Sequence, residues 1–536
     1  MATVESTRAT LRVTLSPFRN EPSTDFGHAE NARRMREALA KVRAELGHEY
    51  DMVIGKQLLK TEHKIKSVNP AQPSQVVGIT QEAGREHAEI AIQAAARAFE
   101  SWKNTPVEER AELLTNVAAI LRERKFEFCA WMVYEVGKNW AEADGDIAET
   151  IDFAEYYARQ AVRLSKAEPD VQLPGEDDNL MYIPLGVGAV IPPWNFPCAI
   201  MAGMTMASIV CGNTVVLKPS HDSPVIAARF FEVLQEAGMP DGVVNFCPGS
   251  GSTFGSALVE HPQLRYIAFT GSKEVGLDIN QRAAVPRPGQ KWIKRTILEM
   301  GGKDSIIVAD DANLDAAVEG VVQSAYGFSG QKCSACSRVI VDEKIYSVFL
   351  ARLKDRIQRI VVGDPVENKS MGPVVSEKQM KKVLSYIEIG KKEGRLIAGG
   401  AAATGVGEGY YIQPTAVADV SPTARIAQEE IFGPVLAVIQ SRSFDDALDI
   451  ANNTEFGLTG SVYSTSREKL ERARRDFHVG NLYFNRKSTG AMVGVHPFGG
   501  FNMSGTDSKA GGPDYLLLFS QAKSVGEKLG DAGPVD

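Results

Sequence analysis

Two cysteines three residues apart are the most reactive side chains that the sequence places close together. They are Cys333 and Cys336, in the stretch GFSGQKCSACS of a chain that has six cysteines. This spacing occurs in zinc sites and in redox pairs, and a thiolate is also a strong nucleophile. A structural zinc site normally takes four thiolate or imidazole ligands, but the sequence has no second CxxC pair and its eight histidines are scattered. We therefore expect no metal.

The setting of the two cysteines separates the other interpretations. A redox pair usually lies at the start of a helix just after the first strand of a small domain, whereas this pair lies in mid-chain. A buried structural role suits Cys336, but Cys333 has polar neighbours, which are Gln331, Lys332 and Ser334. A nucleophilic Cys333 would need a group that removes protons, donors for an oxyanion and, for redox chemistry, an electron acceptor.

The elements around this stretch follow the pattern of a large α/β protein. Between residues 213 and 300, strand-like runs such as NTVVLK and LRYIAFT begin about every 25 to 30 residues, the length of a βαβ unit. A second alternating series runs from 304 to 485, and residues 85–165 have helical periodicity. These patterns predict two doubly wound parallel sheets with helical layers.

Composition excludes several classes of protein. With 536 residues, of which 44% are hydrophobic and 24% charged, the chain can form two or three globular domains. A net charge of -8 gives no reason to bind nucleic acid or an anionic membrane, and the most apolar run, from Cys198 to Cys211, is too short to span a bilayer. The sparse cysteines, and an N-terminus without a basic segment before an apolar core, favour a cytoplasmic location.

Further motifs make the chain similar to a known superfamily. The glutamate of LEMGGK stands 34 residues before the cysteine of GQKC, and IPPWNFP, KPS, FTGSKEVG, EEIFGP and PFGGFNMSG also occur. Together these motifs resemble the aldehyde dehydrogenase superfamily. The resemblance implies that superfamily's α/β fold, with two doubly wound parallel-sheet domains and a small oligomerisation element.

The resemblance implies three catalytic residues. Cys333 would be the nucleophile, and Asn195 in IPPWNFP would hold the oxyanion together with the backbone N–H of Cys333. Glu299 in LEMGGK would be the general base that activates the hydrolytic water. This glutamate ends a predicted strand just before two glycines, where a carboxylate is free to swing. Cys336 would then have a structural role.

The resemblance also implies a site for NAD without a GxGxxG motif. Lys218 and Ser220, after the strand NTVVL, would lie on the adenosine side. Gly271 and Ser272 would open a helix toward the pyrophosphate, because helix N-termini bind phosphate groups.

The nicotinamide side and the choice of cofactor rest on other motifs. In EEIFGP, Glu430 would bind the nicotinamide ribose and Phe432 would form a wall beside the ring. Many NAD-preferring relatives carry a glutamate where this chain has His221, and that glutamate would repel a 2'-phosphate. NADP is therefore also possible for this chain.

Within the superfamily, the chain is most similar to the glutamate γ-semialdehyde dehydrogenases. Matching stretches extend from PFRNEP near residue 17 to SGTDSKAGGPDYL near residue 510. This similarity implies oxidation of L-glutamate γ-semialdehyde, which forms from 1-pyrroline-5-carboxylate, to L-glutamate through a cysteine thiohemiacetal and a thioester. Two enzymatic alternatives are another semialdehyde dehydrogenase and a coenzyme A-acylating enzyme, and a protein that reuses the fold without catalysis would have lost Cys333, Glu299 or Asn195.

The same similarity implies how the substrate is held. Backbone N–H groups of the glycine-containing loop STGAMVG would cradle the α-carboxylate, assisted by a hydroxyl, and two aromatic rings would enclose the aliphatic stem. The residues implied in these roles are Gly490, Ala491, Ser334, Phe196 and Phe498. Glu142 is a further candidate, for contact with the ammonium group.

The sequence divides into predicted domains and implies partners. Met35, Leu39 and Val42 indicate an amphipathic helix outside the main core. We expect a homo-oligomer, and a separate proline dehydrogenase as a functional partner. The predicted parts are an N-terminal extension (1–49), an NAD-binding domain (50–164 and 187–297), a catalytic domain (298–496) and an oligomerisation element (165–186 and 497–536).

Overall fold

The computed structural model describes residues 15–166 and 171–529. The first part of the predicted N-terminal extension (1–14) and two parts of the predicted oligomerisation element (167–170 and 530–536) lie outside the described residues. In the described ranges, no helix is both long and apolar enough to cross a membrane. The same ranges contain no group of three or more His, Cys, Asp or Glu residues that could hold a metal ion.

The described residues form fifteen α-helices. They are α1 (Ala29–Glu45), α2 (Arg85–Trp102), α3 (Val107–Glu123), α4 (Lys125–Val136), α5 (Trp140–Leu164), α6 (Ala199–Val210), α7 (Pro224–Glu236), α8 (Ser256–Glu260), α9 (Lys273–Ala283), α10 (Leu314–Tyr326), α11 (Tyr346–Gln358), α12 (Glu377–Glu393), α13 (Arg425–Gln428), α14 (Phe444–Asn452) and α15 (Arg467–Asp476).

They also form twenty-one strands. These are β1 (His48–Tyr50), β2 (Met52–Ile54), β3 (Gln57–Leu59), β4 (Lys64–Asn69), β5 (Gln72–Gln81), β6 (Glu176–Pro184), β7 (Val187–Ile191), β8 (Thr214–Leu217), β9 (Val244–Phe246), β10 (Tyr266–Thr270), β11 (Arg295–Glu299), β12 (Ser305–Val308), β13 (Arg338–Asp342), β14 (Arg395–Ala398), β15 (Thr415–Ala418), β16 (Val435–Ser441), β17 (Phe456–Gly457), β18 (Thr459–Tyr463), β19 (Asn481–Phe484), β20 (Phe501–Asn502) and β21 (Ser520–Lys528).

The first large sheet has seven strands in the order β11-β10-β7-β8-β9-β2-β3. The five from β11 to β9 are parallel, and β7 and β8 are buried along their whole length because helices cover both faces. The chain runs outward from β7 to β9 and returns to β10 on the other side of β7. The order therefore reverses between β7 and β10, and doubly wound sheets bind ligands at the carboxyl ends of strands at such a point.

The second large sheet has the order β14-β15-β16-β13-β12-β18-β19, and only β14 pairs antiparallel with its neighbour. Its order reverses between β12 and β18. Both doubly wound sheets predicted from the sequence are thus present.

Three smaller sheets complete the described part of the chain, with orders β1-β5-β4, β17-β20 and β21-β6. The β6–β21 ribbon pairs Glu176 with Lys528 at one end and Pro184 with Ser520 at the other. It therefore joins the two segments that were predicted to form an oligomerisation element. The four domain boundaries and their roles remain predictions.

Helix α1 differs from the expectation of a helix outside the main core. Its apolar face, with Met35, Leu39 and Val42, is buried in the same hydrophobic cluster as α4 and α5. Helical spacing identified the apolar face of α1. The elements against which this face packs depend on tertiary structure, which the spacing does not encode.

Candidate active site

Cys333 lies in a turn between a 3₁₀ segment, Gly327–Gly330, and β13. Two non-glycine residues of that segment, Phe328 and Ser329, have left-handed backbone conformations, with φ of 48° and 56°. The Ser329 hydroxyl donates to the Gly372 carbonyl at 2.7 Å, and both residues are buried. Such strained conformations persist only where surrounding contacts fix them, so the turn that carries Cys333 is rigidly held.

The environment of Cys333 keeps its thiol protonated at rest. Burial raises its pKa well above the usual range, and the nearby carboxylates of Asp304 and Glu299 raise it further. A thiol must lose its proton to act as a nucleophile. A nucleophilic role for Cys333 would therefore require a base that accepts this proton.

The side-chain amide of Asn195 faces the backbone next to Cys333. Its Nδ2 donates to the Gln331 carbonyl at 3.1 Å, and the side chain is only 3% exposed. Asn195 and Cys333 line one cavity. An amide nitrogen carries two hydrogens, so one donor remains for an oxygen in that cavity.

Glu299 is the last residue of β11, and its two carboxylate oxygens differ. Oε1 accepts from the Ser508 hydroxyl at 2.5 Å and from the Ser508 backbone N–H at 3.4 Å. Oε2 is buried without a hydrogen-bond partner among the described residues. Burial raises the pKa of Glu299 to about 7, against the lowering effect of the Ser508 hydrogen bonds. A base with this pKa is suited to proton transfer near neutral pH.

A cavity of about 120 Å³ is lined by Cys333, by the candidate base Glu299 and by the predicted substrate residues. Its walls are mostly apolar and come from α5, α6, the turn of Cys333 and the chain after β19. The lining residues used below are Cys333, Glu299, Ser334, Gly490, Ala491, Phe196, Phe498, Glu149, Phe153 and Tyr157. All five residues predicted to hold the substrate therefore meet around Cys333.

The backbone N–H groups of Gly490 and Ala491 have no acceptor among the residues that the structure describes. Arg486 Nη2 donates to the carbonyls of Thr489 and Gly490, at 3.0 and 2.9 Å. Within a trans peptide unit the N–H points opposite to the C=O, so the N–H groups of Gly490 and Ala491 point away from Arg486. Gly490 has a φ of 80°, a conformation that glycine adopts without strain. The loop can hold a carboxylate with two adjacent N–H groups.

A second cavity, of about 560 Å³, lies at the carboxyl ends of β7 and β10, where the order of the first sheet reverses. It is lined by Lys218, Ser220, His221, Gly271 and Ser272, together with residues of α9. Ser272 caps α9 by accepting from the Val275 N–H at 3.4 Å, so the open end of this helix borders the cleft. Burial lowers the pKa of Lys218 to about 8.

A third cavity connects the other two. It contains Asn195, Gly271, Cys333, Glu430 and Phe432. The Glu430 carboxylate accepts from the Gly302 N–H at 3.0 Å, and the Phe432 ring packs edge-on against Trp194 with centroids 5.5 Å apart. All six residues predicted to bind the cofactor therefore line a continuous cleft that leads to Cys333.

The structure also brings in a residue that the sequence motifs did not identify. Glu149, in the middle of α5, lines the cavity of Cys333, and none of the described residues donates a hydrogen bond to its carboxylate. Burial and the nearby Asp146 raise its pKa to about 8. Glu142, the candidate named from the sequence, instead forms an ion pair with Lys332 at 2.6 Å.

Comparison with known proteins agrees with this geometry. The sequence model of the aldehyde dehydrogenase family matches residues 58–525. The 1-pyrroline-5-carboxylate dehydrogenase of Geobacillus kaustophilus is 56% identical over 514 residues, which are 96% of this chain and 99% of that protein.

Two solved structures extend the comparison. A 1-pyrroline-5-carboxylate dehydrogenase from Thermus with bound NAD has a TM-score of 0.94 and 55% identity, covering 96% of this chain and all (100%) of that one. Proline utilization A from Bdellovibrio bacteriovorus has a TM-score of 0.95 and 47% identity, covering 97% of this chain and 54% of that one. The chain therefore belongs to the aldehyde dehydrogenase family.

Proposed function

We propose that this enzyme oxidises L-glutamate γ-semialdehyde to L-glutamate, with water and NAD as the other reactants. The observation that carries the proposal is one cavity that joins Cys333 and Glu299 to the free backbone donors of Gly490 and Ala491. The names of the relatives that are similar over nearly the whole chain support the same substrate.

The amino-acid end of the substrate would bind at the far side of this cavity. The N–H groups of Gly490 and Ala491 and the Ser334 hydroxyl would hold the α-carboxylate. Phe196 and Phe498 would enclose the methylene groups. This leaves the aldehyde carbon beside the thiol of Cys333.

Glu149 is the best partner for the α-ammonium group. The carboxylate lines the cavity without a hydrogen-bond donor from the described residues, and burial makes its ionised form costly when the cavity is empty. An ammonium group would supply the missing opposite charge. The carboxylate and the ammonium share one carbon atom, and Glu149 lines the same cavity as Gly490 and Ala491.

The covalent step would begin at Cys333. Glu299, with its free Oε2, would take the thiol proton directly or through water, and the thiolate would add to the aldehyde carbon. Asn195 and the backbone N–H of Cys333 would donate to the resulting oxyanion. Loss of hydride from this carbon leaves a thioester, and Glu299 would then activate the water that hydrolyses it.

The cleft between β7 and β10 would bind the nicotinamide cofactor, whose chemistry is to accept the hydride. Its volume, the open end of α9 and the buried Lys218 suit a dinucleotide with phosphate groups. His221 lines the adenosine side of this cleft and carries no negative charge to repel a 2'-phosphate. NADP should therefore also be accepted.

Two further expectations from the sequence are proposed here. A separate proline dehydrogenase would supply 1-pyrroline-5-carboxylate, consistent with the similarity to a proline utilization A protein. The β6–β21 ribbon would pair subunits in a homo-oligomer, because no other described strand pairs with the outer edges of its two strands.

The direct test is an assay of the purified enzyme with 1-pyrroline-5-carboxylate and NAD. NADH, measured by its absorbance, and glutamate should form in equal molar amounts. An enzyme that forms NADH only with other aldehydes would contradict the substrate assignment, and formation of an acyl-coenzyme A would contradict hydrolysis.

Replacing Glu149 by glutamine should weaken binding of the amino-acid end specifically. The amide keeps the size of the side chain but removes its charge, so we expect KM for the semialdehyde to increase by about tenfold or more. KM for butanal, which has no ammonium group, should change little. Glu112→Gln is the matched control, since Glu112 is exposed on α3 and its carboxylate forms no ion pair with any of the described residues. Equal changes for both aldehydes would contradict the role of Glu149.

Removing the Ser508 hydroxyl should change the pH dependence of turnover. The Glu299 base acts when ionised, so the hydrolysis rate should rise with pH through about 7, the pKa of Glu299. The Ser508 hydrogen bonds stabilise the ionised form and lower this pKa. Ser508→Ala should therefore move the rise in kcat to higher pH, while the exposed Ser385→Ala should leave it unchanged. A shift to lower pH would contradict this account.

A further inference from the structure

Helix α5 contacts two different parts of the protein through adjoining faces. Glu149, Phe153 and Tyr157, at intervals of four residues, line the cavity of Cys333. Asp144 and Asp152, eight residues apart, face the segment 16–24 that precedes α1. Segment 16–24 therefore contacts the same helix that forms a wall of the cavity.

Segment 16–24 is held to α5 by buried carboxylates. Asp152 is 6% exposed, and its two oxygens accept from the Glu21 N–H at 2.6 Å and from Asn20 Nδ2 at 2.8 Å. Asp144 accepts from the Thr24 N–H at 2.7 Å. Buried carboxylates need such donors, so the segment and the helix stabilise each other.

Asn20 also reaches the loop that carries Gly490 and Ala491. The same Nδ2 donates to the Val493 carbonyl at 2.9 Å, and Val493 is buried two residues after Ala491. One amide nitrogen thus uses both hydrogens to join α5 to this loop.

A packing contact lies beside this bridge. The Phe18 ring meets the Tyr156 ring of α5 edge-on, with centroids 5.1 Å apart. Both rings lie against Gly494, whose φ is 75° and where a Cβ atom would come within 3.1 Å of each ring. The loop therefore contacts α5 and segment 16–24 together at this point.

We infer that segment 16–24 fixes the loop of Gly490 and Ala491 relative to α5, and that Asn20 is a positioning residue for the amino-acid end of the substrate. This inference rests on the proposed function. The α-carboxylate and the α-ammonium group are attached to one carbon atom, so the loop N–H groups and Glu149 must keep a fixed separation. Displacements of an ångström are enough to weaken such binding.

Asparagine has the right chemistry for this position. Alanine would remove both hydrogen bonds of Asn20. The carbonyl of the buried Val493 would then lose this donor, and the Asp152 carboxylate would lose one of its donors. Aspartate would add a second carboxylate beside Asp152. A neutral side chain with two donors on one atom meets both requirements.

The test is steady-state kinetics of Asn20→Ala in the full-length enzyme with the semialdehyde and with butanal. We expect KM for the semialdehyde to increase by about tenfold, which is the effect expected from losing one or two hydrogen bonds. KM for butanal, KM for NAD and kcat should stay near the wild-type values. Asn31→Ala is the matched control, because Asn31 is half-buried on α1 and its amide donates to the Asp25 carbonyl, outside segment 16–24.

The outcomes separate this inference from the proposed function. Wild-type enzyme that does not oxidise the semialdehyde contradicts the proposed function. Active wild type with an unchanged Asn20→Ala, or with equal losses for both aldehydes, contradicts positioning by Asn20. If Asn20→Ala does not fold, Asn20→Ser provides the test, since its one hydroxyl donor can replace only one of the two bonds and should raise KM for the semialdehyde by a smaller factor.

Discussion

The Cys333→Ala enzyme is expected to have no measurable aldehyde oxidation, with kcat reduced by about 10⁴-fold or more. Without the thiol, neither the thiohemiacetal nor the thioester can form. The measurement is NADH formation with the semialdehyde, together with NAD titration of the variant. Binding of NAD should remain, because the adenosine side of the cleft does not include Cys333.

Cys336→Ala is the matched control for this variant. Cys336 is 1% exposed, and its thiol contacts the Arg338 carbonyl at 3.2 Å within the hydrophobic cluster of the second sheet. Loss of the Cys336 thiol should lower the free energy of unfolding by about 1 kcal/mol, and the enzyme should remain active. An active Cys333→Ala, or an inactive but folded Cys336→Ala, would contradict the assignment of one nucleophile and one structural cysteine.

The Glu299→Gln enzyme is expected to stop after the first half of the reaction. The amide has the size of the carboxylate but cannot act as a base, so water is not activated and steady-state turnover should fall by about 10²- to 10⁴-fold. Rapid mixing should give a burst of up to about one NADH per subunit, the signature of an accumulating acyl-enzyme. Intact-protein mass spectrometry should then detect a glutamyl group attached to Cys333.

The burst also separates the two roles proposed for Glu299. A fast burst would mean that another path removes the thiol proton, whereas a slow burst would mean that Glu299 takes this proton as well. Unchanged steady-state turnover would contradict both roles. Glu236→Gln, which removes an exposed carboxylate that does not line the cavity, is the control and should behave as the wild type.

Much of the site was predictable because its residues stand in compact motifs. Cys333, Asn195 and Glu299 occupy turns or strand ends with distinctive neighbours, and the structure brings them to connected cavities. The strand pattern likewise predicted both doubly wound sheets, since buried parallel strands are short apolar runs at regular spacing.

Glu149 was not predictable in this way. It lies within a helix of 25 residues that contains several other acidic residues, and no neighbouring motif sets it apart. Helical periodicity predicts which face of a helix is apolar. It does not predict which polar residue at the edge of that face borders a cavity. Glu142, the candidate named from the sequence, has its carboxylate paired with Lys332 instead.

The role inferred for Asn20 depends on contacts that are very distant in sequence. Asn20 and Val493 are separated by 473 positions. The stretch PFRNEP contributed only to a resemblance, because nothing in its residue types indicates a partner. Its contacts follow from where the two sheets and α5 place the loop after β19, and that is a property of the whole fold.

The most direct test of the central claim is to compare kcat/KM for L-glutamate γ-semialdehyde with kcat/KM for butanal in the wild-type enzyme. We propose that Gly490 and Ala491 bind the α-carboxylate of the substrate and that Glu149 binds its α-ammonium group. The semialdehyde should then be favoured by at least about a hundredfold, since butanal leaves these polar groups of the cavity unpaired. Similar values for the two aldehydes would mean that the cavity does not recognise the amino-acid end, and would contradict the proposed substrate while leaving the cysteine chemistry intact.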